Sequence, residues 1–273
     1  MLDTTSAAAD YHTHYETDAA EFDYFEERDD PATAHDERRV YEALLRHIPR
    51  SGSDKKPVAV LDVGCGRAWV ARTLCPAGTD VCSLDISLHN PQKAVERYPY
   101  PNHAAVVADA FALPFASGAF DAVVASEVIE HVPDPAAFVG ELLRVVAPGG
   151  SVILSTPYKE KLRYVLCMHC NQRTPLHAHI HSFDERTLGG LAPAGAAAYS
   201  FETFGNKAML FLRFHPLVSW MPHGLWRIVD SLANAVVNKR AHIVVVWRKP
   251  LEQPLYHDSQ KQSHNEPQRE ENT

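Results

Sequence analysis

The sequence predicts an α/β fold in which helices cover both faces of a mostly parallel, seven-stranded sheet that ends in an antiparallel pair of strands. Five short apolar runs rich in β-branched residues alternate with helical stretches, which is typical of right-handed βαβ units. These runs span 57–62, 81–85, 104–109, 120–125 and 151–155. Two further runs, 199–204 and 241–247, predict the antiparallel pair. Because 45% of the 273 residues are hydrophobic, the chain can bury a sizeable core.

Helical periodicity predicts three helices around these strands. Apolar residues recur at helical spacing over 35–48 and over 134–146, where Asp134 is the expected N-cap and Pro135 begins the first turn. A third, amphipathic helix is marked by Leu225, Val229, Leu232 and Val236. Apolar residues of this kind are most often core, although this segment is also a candidate cover for an apolar ligand.

The chain divides into three parts by composition. We expect an N-terminal helical lid segment over 1–50, a main domain over 51–250, and a polar, disordered tail over 251–273. Within the main domain, 159–182 is a Cys/His insertion and 205–240 is a helical lid. The N-terminal segment is acidic and carries interleaved aromatic residues. A solvated helix face explains the charge, and the alternative is a lid whose aromatic rings close over a ligand.

The overall charge argues against a nucleic-acid partner. The 26 Lys and Arg residues against 34 Asp and Glu give a net charge of −8, whereas nucleic-acid binding needs clustered cations. No apolar run reaches the roughly 18 to 20 residues that span a bilayer, so no transmembrane segment is expected. The start of the chain lacks the pattern of a secretory signal, and five cysteines are too few for a disulfide framework. We therefore expect a cytoplasmic protein of undetermined oligomeric state.

A glycine pair and two acids predict a nucleoside site. Gly64 and Gly66 follow the first strand and precede a helix, where glycine permits a tight turn and close approach of a ligand to the backbone. Asp85 ends the next strand, at the distance from the glycines suited to an acid that accepts hydrogen bonds from both ribose hydroxyls. Asp109 ends the third strand and is suited to an adenine amino group. Acids at successive strand ends indicate a ligand at a topological switch point.

A dinucleotide is less well suited to this glycine loop. The dinucleotide fingerprint requires a third small residue where helix and strand pack beneath a pyrophosphate. Trp69 occupies that position here. The loop therefore favours a nucleoside ligand without a pyrophosphate, and an NAD(P)-dependent oxidoreductase is the less favoured alternative.

Five motifs follow one another between residues 55 and 160. They are VLDVGCG at 60–66, LDIS at 84–87, VADAF with LPF at 107–115, FDAVVASEVIEH at 120–131 and LLRVVAPGGSVIL at 142–154. In this order and spacing, the chain resembles the class I S-adenosylmethionine-dependent methyltransferases that act on small molecules. The resemblance implies a Rossmann-like fold and S-adenosylmethionine as cofactor. Ala68 departs from the family pattern, since a third glycine is usual at that position.

The resemblance also implies a role for each matching residue. The nine residues expected at the cofactor are Gly64, Cys65 and Gly66 beside the methionine and ribose, Asp85 at the ribose hydroxyls, Ile86 at the adenine ring, Asp109 and Ala110 at the adenine edge, and Ser126 and Glu127 at the methionine end. His131, which follows the fourth strand, is the candidate catalytic base near the methyl group if the acceptor is a hydroxyl. The alternative for His131 is a capping or structural role.

The insertion carries a second candidate site. Cys167 and Cys170 form a C-x-x-C pair, and His177 and His179 follow with alternating spacing, so that both side chains point to one side of an extended chain. Thiolates and imidazoles are the ligands that a tetrahedral zinc prefers. The segment resembles a Cys/His insertion found in some related methyltransferases, which implies structural zinc on these four residues. His169 and His181 are alternatives for the fourth ligand, and a metal-free loop whose histidines line a substrate pocket is the other interpretation.

We therefore expect a methyltransferase that transfers a methyl group to the oxygen or carbon of a small-molecule acceptor. An amine acceptor in a nucleic acid would require an N/D-P-P-Y/F-type segment after the fourth strand, where Ser126, Glu127 and Val128 stand instead. Two alternatives remain: the oxidoreductase and a catalytically silent, zinc-stabilised binding module. The sequence does not identify the acceptor.

Overall fold

The computed structural model describes residues 11–26, 30–50 and 56–251. The helices are α1 Tyr11–Glu21, α2 Pro31–Leu45, α3 Trp69–Leu74, α4 His89–Arg97, α5 Pro135–Val145, α6 Glu185–Gly189, α7 Lys207–Phe211, α8 His215–Val218 and α9 His223–Val236. The strands are β1 Ala59–Val63, β2 Asp80–Asp85, β3 His103–Val107, β4 Phe120–Ser126, β5 Val146–Pro157, β6 Tyr164–Leu166, β7 Arg173–Pro175, β8 Ala198–Asn206 and β9 Arg240–Arg248. The tail expected to be disordered lies outside the described residues, apart from Leu251.

The main sheet has seven strands in the order β3-β2-β1-β4-β5-β9-β8. Strands β1 to β5 are parallel to one another, whereas β9 is antiparallel to both β5 and β8. The predicted α/β fold is therefore confirmed, including the antiparallel pair at the end of the chain. The order of the strands reverses between β1 and β4, which creates a crevice at the carboxyl edge of the sheet.

Two buried clusters cover the two faces of this sheet. Because alternate side chains of a strand point to opposite faces, Leu61 belongs to the cluster beneath α5 and α6, whereas Val60 belongs to the cluster beneath α2, α3 and α4. Both residues are fully buried. Near-continuous apolar strands are the expected consequence of a sheet that is buried on both faces.

Local capping explains where two helices begin. The Asp134 side chain accepts hydrogen bonds from the backbone N–H groups of Ala136 and Ala137 at 3.1 and 3.0 Å, and Pro135 starts α5 as predicted. Helix α2 begins earlier than the predicted 35–48 because the side chain of Asp30 caps it. This earlier start brings Thr33 into the helix.

Helix α9 presents its apolar stripe outwards, contrary to the expectation that these residues are core. Leu232 is 64% exposed and Val236 is 85% exposed. The buried side instead carries Trp226 with two polar residues, Asp230 and Asn234, which hydrogen-bond each other and the end of β8. Hydrogen bonds from this polar side to the end of β8 therefore hold the helix with its polar side inwards, whereas its hydrophobic pattern would place the apolar side there. Within the described residues, no helix is both long and apolar enough to cross a membrane.

The Cys/His insertion forms a separate hairpin. Strands β6 and β7 pair antiparallel, with Tyr164 opposite Pro175 at the base and Leu166 opposite Arg173 at the tip. A short 3-10 turn at Leu176–Ala178 then leads back towards the main domain. The hairpin tip and the turn thus lie at opposite ends of strands about 10 Å long.

Candidate active site

One cavity of about 710 Å³ opens at the carboxyl edge of the sheet, at the crevice between β1 and β4. This volume lies within the range of about 300 to 1,000 Å³ that is usual for small-molecule sites. All nine residues expected at the cofactor line the cavity: Gly64, Cys65, Gly66, Asp85, Ile86, Asp109, Ala110, Ser126 and Glu127. The structure therefore brings together side chains that the sequence distributes over four strand ends.

The glycine loop forms a backbone cradle on one wall of the cavity. Gly64 and Gly66 have φ angles of +68° and +46°, in the left-handed region that favours glycine. A Cβ atom at Gly64 would lie 2.6 Å from Cγ2 of Val128, so glycine is needed there for space as well as for conformation. Ala68 also has a positive φ of 51°, which explains why a third glycine would suit its position.

Asp85 stands at the centre of the cradle with its carboxylate held by the protein. The backbone N–H groups of Gly66 and Ser87 donate to it at 3.3 and 3.1 Å, and Nδ2 of Asn90 donates at 3.1 Å. Burial raises the pKa of Asp85, while these three donors oppose that rise by stabilising the charged form. A hydrogen-bonded acid at this point can accept hydroxyl donors of a ribose.

Asp62 lies behind the cradle and is not among the lining residues of the cavity. Its side chain is almost fully buried, and burial raises its pKa well above the ordinary value, with Asp85 contributing. The charged form of this carboxyl group is therefore disfavoured.

Asp109 is bound by the N-terminal segment. The hydroxyl of Tyr11 donates to Oδ2 of Asp109 at 2.5 Å, and Nε2 of His12 lies 3.1 Å from the same atom. The Phe111 N–H donates to the other carboxylate oxygen at 2.9 Å. Helix α1 therefore reaches over the cavity to the acid expected at the adenine, an interaction for which the sequence offers no local signal.

The same segment covers the cavity with aromatic rings. Tyr15 and Tyr24 both line it, and the Tyr15 ring contacts the His131 ring edge-on with centroids 5.8 Å apart. Burial raises the pKa of both tyrosines, so their hydroxyls stay protonated. This arrangement corresponds to the aromatic lid that was the alternative interpretation of the acidic N-terminus. None of the cavity-lining residues comes from α7, α8 or α9, so within the described chain those helices form no cover over it.

A cluster of partly buried ionisable side chains lines the cavity at Glu127, Asp36 and His242. Burial raises the pKa of Glu127, which has a positive φ of 54°. His242 on β9 is near enough to Glu127 for the carboxylate charge to raise the pKa of the imidazole. Nε2 of His242 is 2.8 Å from Oδ2 of Asp36. Although burial lowers the pKa of His242, the Asp36 carboxylate outweighs this effect and raises it to about 9. Sequence reasoning missed Asp36 and His242 because they reach the cavity from α2 and β9.

His131 lines the same cavity, close to the turn after β7. Its Nδ1 atom is 3.3 Å from the carbonyl oxygen of Ala178, and the His179 ring packs against it edge-on with centroids 4.8 Å apart. Burial, and to a smaller extent the neighbouring His179, lower the pKa of His131 to about 4, so the imidazole is neutral near pH 7. His177, Ala178 and His179 line the cavity with it.

The four expected zinc ligands do not lie together in the structure. Cys167 and Cys170 lie at the exposed tip of the β6–β7 hairpin, where N–H groups of Cys170 and His169 lower the pKa of the Cys167 thiol. His177 and His179 lie beyond the base of that hairpin. Hairpin pairing separates the thiols from the imidazoles because it extends the chain between them. The Cys2His2 site stays a prediction without assembled geometry.

The model of a protein family described as a methyltransferase domain matches residues 33–194, which is more than half of the chain. The matched region contains the glycine cradle, all nine residues expected at the cofactor and His131. This chain belongs to the methyltransferase domain family.

Curated relatives of this methyltransferase domain are named for ubiquinone biosynthesis, for a hydroquinone and for tocopherol. It is 36% identical over 117 residues to a ubiquinone biosynthesis O-methyltransferase of Psychrobacter cryohalolentis, covering 40% of this chain and 44% of the relative. It is 42% identical over 109 residues to the 2-methyl-6-phytyl-1,4-hydroquinone methyltransferase of Synechocystis, covering 38% and 34%. A chloroplastic tocopherol O-methyltransferase of Arabidopsis thaliana is 38% identical over 125 residues, covering 43% and 36%. The match thus spans less than half the length of these relatives.

Solved structures confirm the fold of the methyltransferase domain. The geranyl diphosphate C-methyltransferase of Streptomyces coelicolor matches with a TM-score of 0.62 at 15% identity, covering 89% of this chain and 99% of the other. A phosphoethanolamine N-methyltransferase of Haemonchus contortus matches with a TM-score of 0.52 at 17% identity, covering 77% and 53%. These structures differ in acceptor and in the methylated atom, so the likeness concerns the fold alone.

Proposed function

We propose that this protein is an S-adenosylmethionine-dependent methyltransferase that methylates a small-molecule acceptor. The observation that carries the proposal is the convergence of the glycine cradle, Asp85 and Asp109 on one cavity at the topological switch point. Family membership supports the same conclusion. The residues present fit the cofactor, because the cradle keeps space that a Cβ atom would restrict and Asp85 is held as a hydrogen-bond acceptor.

The order of the residues along the cavity gives the orientation in which the cofactor would bind. The backbone of the glycine loop would line the methionine and ribose, and Asp85 would accept the ribose hydroxyls. Asp109 would accept a hydrogen bond from the adenine amino group. This bond would partly replace the hydrogen bond that Asp109 accepts from the Tyr11 hydroxyl. Ser126 and Glu127 would then face the methionine end.

We further propose that the acceptor is a phenolic small molecule and that the methyl group goes to its oxygen. Two of the three relatives are named as O-methyltransferases, and the three names concern ubiquinone biosynthesis, a hydroquinone and tocopherol. The acceptor end of the cavity suits such a ring, because the Tyr15 ring and Val132 provide apolar surface beside His131. Methylation of carbon remains the second candidate, since the Synechocystis relative is not named as an O-methyltransferase.

The protein would contribute mainly by position. Methyl transfer to oxygen forms a C–O bond while the C–S bond breaks and its electron pair stays on sulfur, and His131 would accept the hydroxyl proton. Holding the reacting atoms in line can supply several kcal/mol of the barrier reduction. The lid rings of Tyr15 and Tyr24 would exclude water around them. The location of His131 supports its predicted role at the acceptor hydroxyl.

The remaining expectations are also proposals. We propose that the protein works in the cytoplasm without a nucleic-acid partner, in keeping with its net charge of −8. We propose the domain boundaries 1–50, 51–250 and 251–273, with the N-terminal segment acting as the lid.

A methyl-transfer screen tests the proposed function. Purified full-length protein is incubated with S-adenosylmethionine bearing a deuterated methyl group and with hydroquinones, catechols, amines and carbon acids, and products are identified by mass. We expect methylated phenol, and we expect its loss in the Asp85→Ala variant. Absence of any methylated product together with binding of NADH, measured by calorimetry, would overturn the proposal in favour of the oxidoreductase alternative.

A further inference from the structure

A buried carboxylate and two histidines meet at the acceptor end of the cavity. Glu130, His131 and His179 each offer a ligand atom within 4.8 Å of the other two. Within the described ranges, no other three or more His, Cys, Asp or Glu residues come as close. Glu130 and His131 follow β4, whereas His179 comes from the insertion. The cluster therefore exists only because the fold joins these two segments.

Hydrogen bonds leave one nitrogen of each histidine available to a ligand. Nδ1 of His131 is 3.3 Å from the carbonyl oxygen of Ala178, so Nδ1 carries the proton and Nε2 keeps its lone pair. Nδ1 of His179 is 2.5 Å from Oε2 of Glu160, which fixes the same tautomer. Metal-binding histidines usually donate their second N–H to a carboxylate or a backbone carbonyl in this way.

Glu130 contributes an oxygen that lacks a partner. The Thr156 hydroxyl donates to Oε2 of Glu130 at 2.9 Å, but Oε1 has no hydrogen-bond partner among the described residues. The residue is only 1% exposed, so water does not compensate this oxygen at the surface. Burial of an unsatisfied carboxylate oxygen is unfavourable, and a cation between this oxygen and the two imidazoles would remove the penalty.

The backbone holds the two segments together at this point. The N–H groups of Ile180 and His181 both donate to the carbonyl oxygen of Glu130, at 2.9 and 3.2 Å. Just before them, His177 and Ala178 have positive φ angles of 59° and 56°. Left-handed backbone at two successive non-glycine residues costs energy and persists where the surrounding structure requires it. This strained turn directs His179 towards His131 and presents the Ala178 carbonyl to it.

We propose that Glu130, His131 and His179 bind one divalent transition-metal ion of the zinc class. Two imidazoles and one carboxylate form a ligand set of the kind found in catalytic zinc sites, which keep a position open for water or substrate. His131 and His179 line the cavity, so an open position on the ion would be accessible to the acceptor oxygen of the proposed methyltransferase. This role of the metal rests on the proposed function and would replace the base role of His131: the cation would lower the pKa of the bound hydroxyl and stabilise the oxygen after its proton has left to solvent.

Metal titration of the full-length protein tests the site. Co²⁺ is the spectroscopic probe, read from its visible absorption bands, and Zn²⁺ binding is measured by calorimetry. We expect one ion per chain. Glu130→Gln keeps the size of the side chain and should remove the cobalt bands, as should His179→Asn. Glu160→Gln, which acts through His179, should weaken binding by about 10- to 100-fold.

Two matched controls separate this site from other histidines and thiols. His177→Asn changes a histidine of the same turn, and Cys167→Ser with Cys170→Ser removes the thiols at the hairpin tip. Both controls should bind cobalt as the wild type does. Loss of metal in the double cysteine variant, or its retention in Glu130→Gln and His179→Asn, would overturn the proposal.

Calorimetry with S-adenosylhomocysteine on the same proteins distinguishes the two proposals and shows that each variant is folded. Binding of S-adenosylhomocysteine by a wild type that binds neither Co²⁺ nor Zn²⁺ would overturn the metal site and leave the proposed function intact. Metal binding at the three residues without S-adenosylhomocysteine binding would support the metal site and count against the methyltransferase function.

Discussion

Replacement of Asp85 by alanine should weaken binding of S-adenosylhomocysteine by about 10- to 100-fold. A carboxylate offers about four acceptor positions, and three are occupied by donors from Gly66, Ser87 and Asn90. At least one position is left for a ribose hydroxyl. The contact with Gly66 is the longest of the three at 3.3 Å, so it is the one that a second hydroxyl would replace most easily. One hydrogen bond to a charged group contributes about 1.5 to 3 kcal/mol, and about 1.4 kcal/mol corresponds to a tenfold change in Kd.

Isothermal titration calorimetry with S-adenosylhomocysteine is the assay for this variant. Asp80→Ala is the matched control, because Asp80 is an exposed acid at the opposite end of the same strand, β2. Asp85→Asn preserves the side-chain volume and should give an intermediate loss. The reasoning would be refuted if Asp85→Ala, shown to be folded by circular dichroism, bound within twofold of wild type.

Three further predictions concern the stability of the fold. Gly64→Ala should lower the free energy of unfolding in urea by about 2 kcal/mol, since its Cβ atom would meet Val128 and its φ is positive; an unchanged midpoint would contradict this. The pKa of His242, raised from 6.5 to about 9 beside Asp36, implies extra stability below pH 6.5 that is lost as the pH rises to 9. His242→Asn should flatten this pH dependence, and a variant that kept the wild-type slope would refute the assignment. Arg39→Met should lower the free energy of unfolding in urea by about 3 kcal/mol. The buried guanidinium pairs with Glu42 and donates to the carbonyl oxygens of Val218 and Met221, which the variant would leave without this partner. A decrease of less than about 0.5 kcal/mol would argue against that role.

The parallel core of the fold and the cofactor wall of the cavity were predictable because their signals are local. Strand ends of a parallel sheet meet at one edge, so the spacing of Gly66, Asp85 and Asp109 already placed them together. The third strand ends at Val107, two residues before the predicted Asp109, and Asp109 still reaches the cavity from the following loop. Errors of this size in element bounds therefore did not affect the site.

The lid and the charge cluster were not predictable because their contacts join distant parts of the chain. Tyr11 binds Asp109, and His242 binds Asp36, with no periodicity or motif in the sequence that links either pair. Helix α9 was misassigned for a related reason. Its hydrophobic spacing predicted a buried face, whereas hydrogen bonds of Asp230 with the end of β8 hold the opposite face inwards.

The insertion shows how local geometry changes the meaning of a spacing pattern. Alternating histidines point to one side only in an extended chain, and the 3-10 turn at Leu176–Ala178 breaks that alternation. His179 therefore lies next to Glu130 and His131, which follow β4, and not next to the expected cysteine ligands. Sequence alone could identify the metal-binding residue types in this segment, but the pairing of its hairpin decided which of them meet.

A crystal structure of the protein with S-adenosylhomocysteine would test the central claim most directly. The account predicts both ribose hydroxyls within hydrogen-bond distance of the Asp85 carboxylate, the homocysteine along the loop from Gly64 to Gly66, and the adenine beside Asp109. A complex in which the ligand lies elsewhere, or in which the Asp85 carboxylate makes no contact with it, would contradict the account.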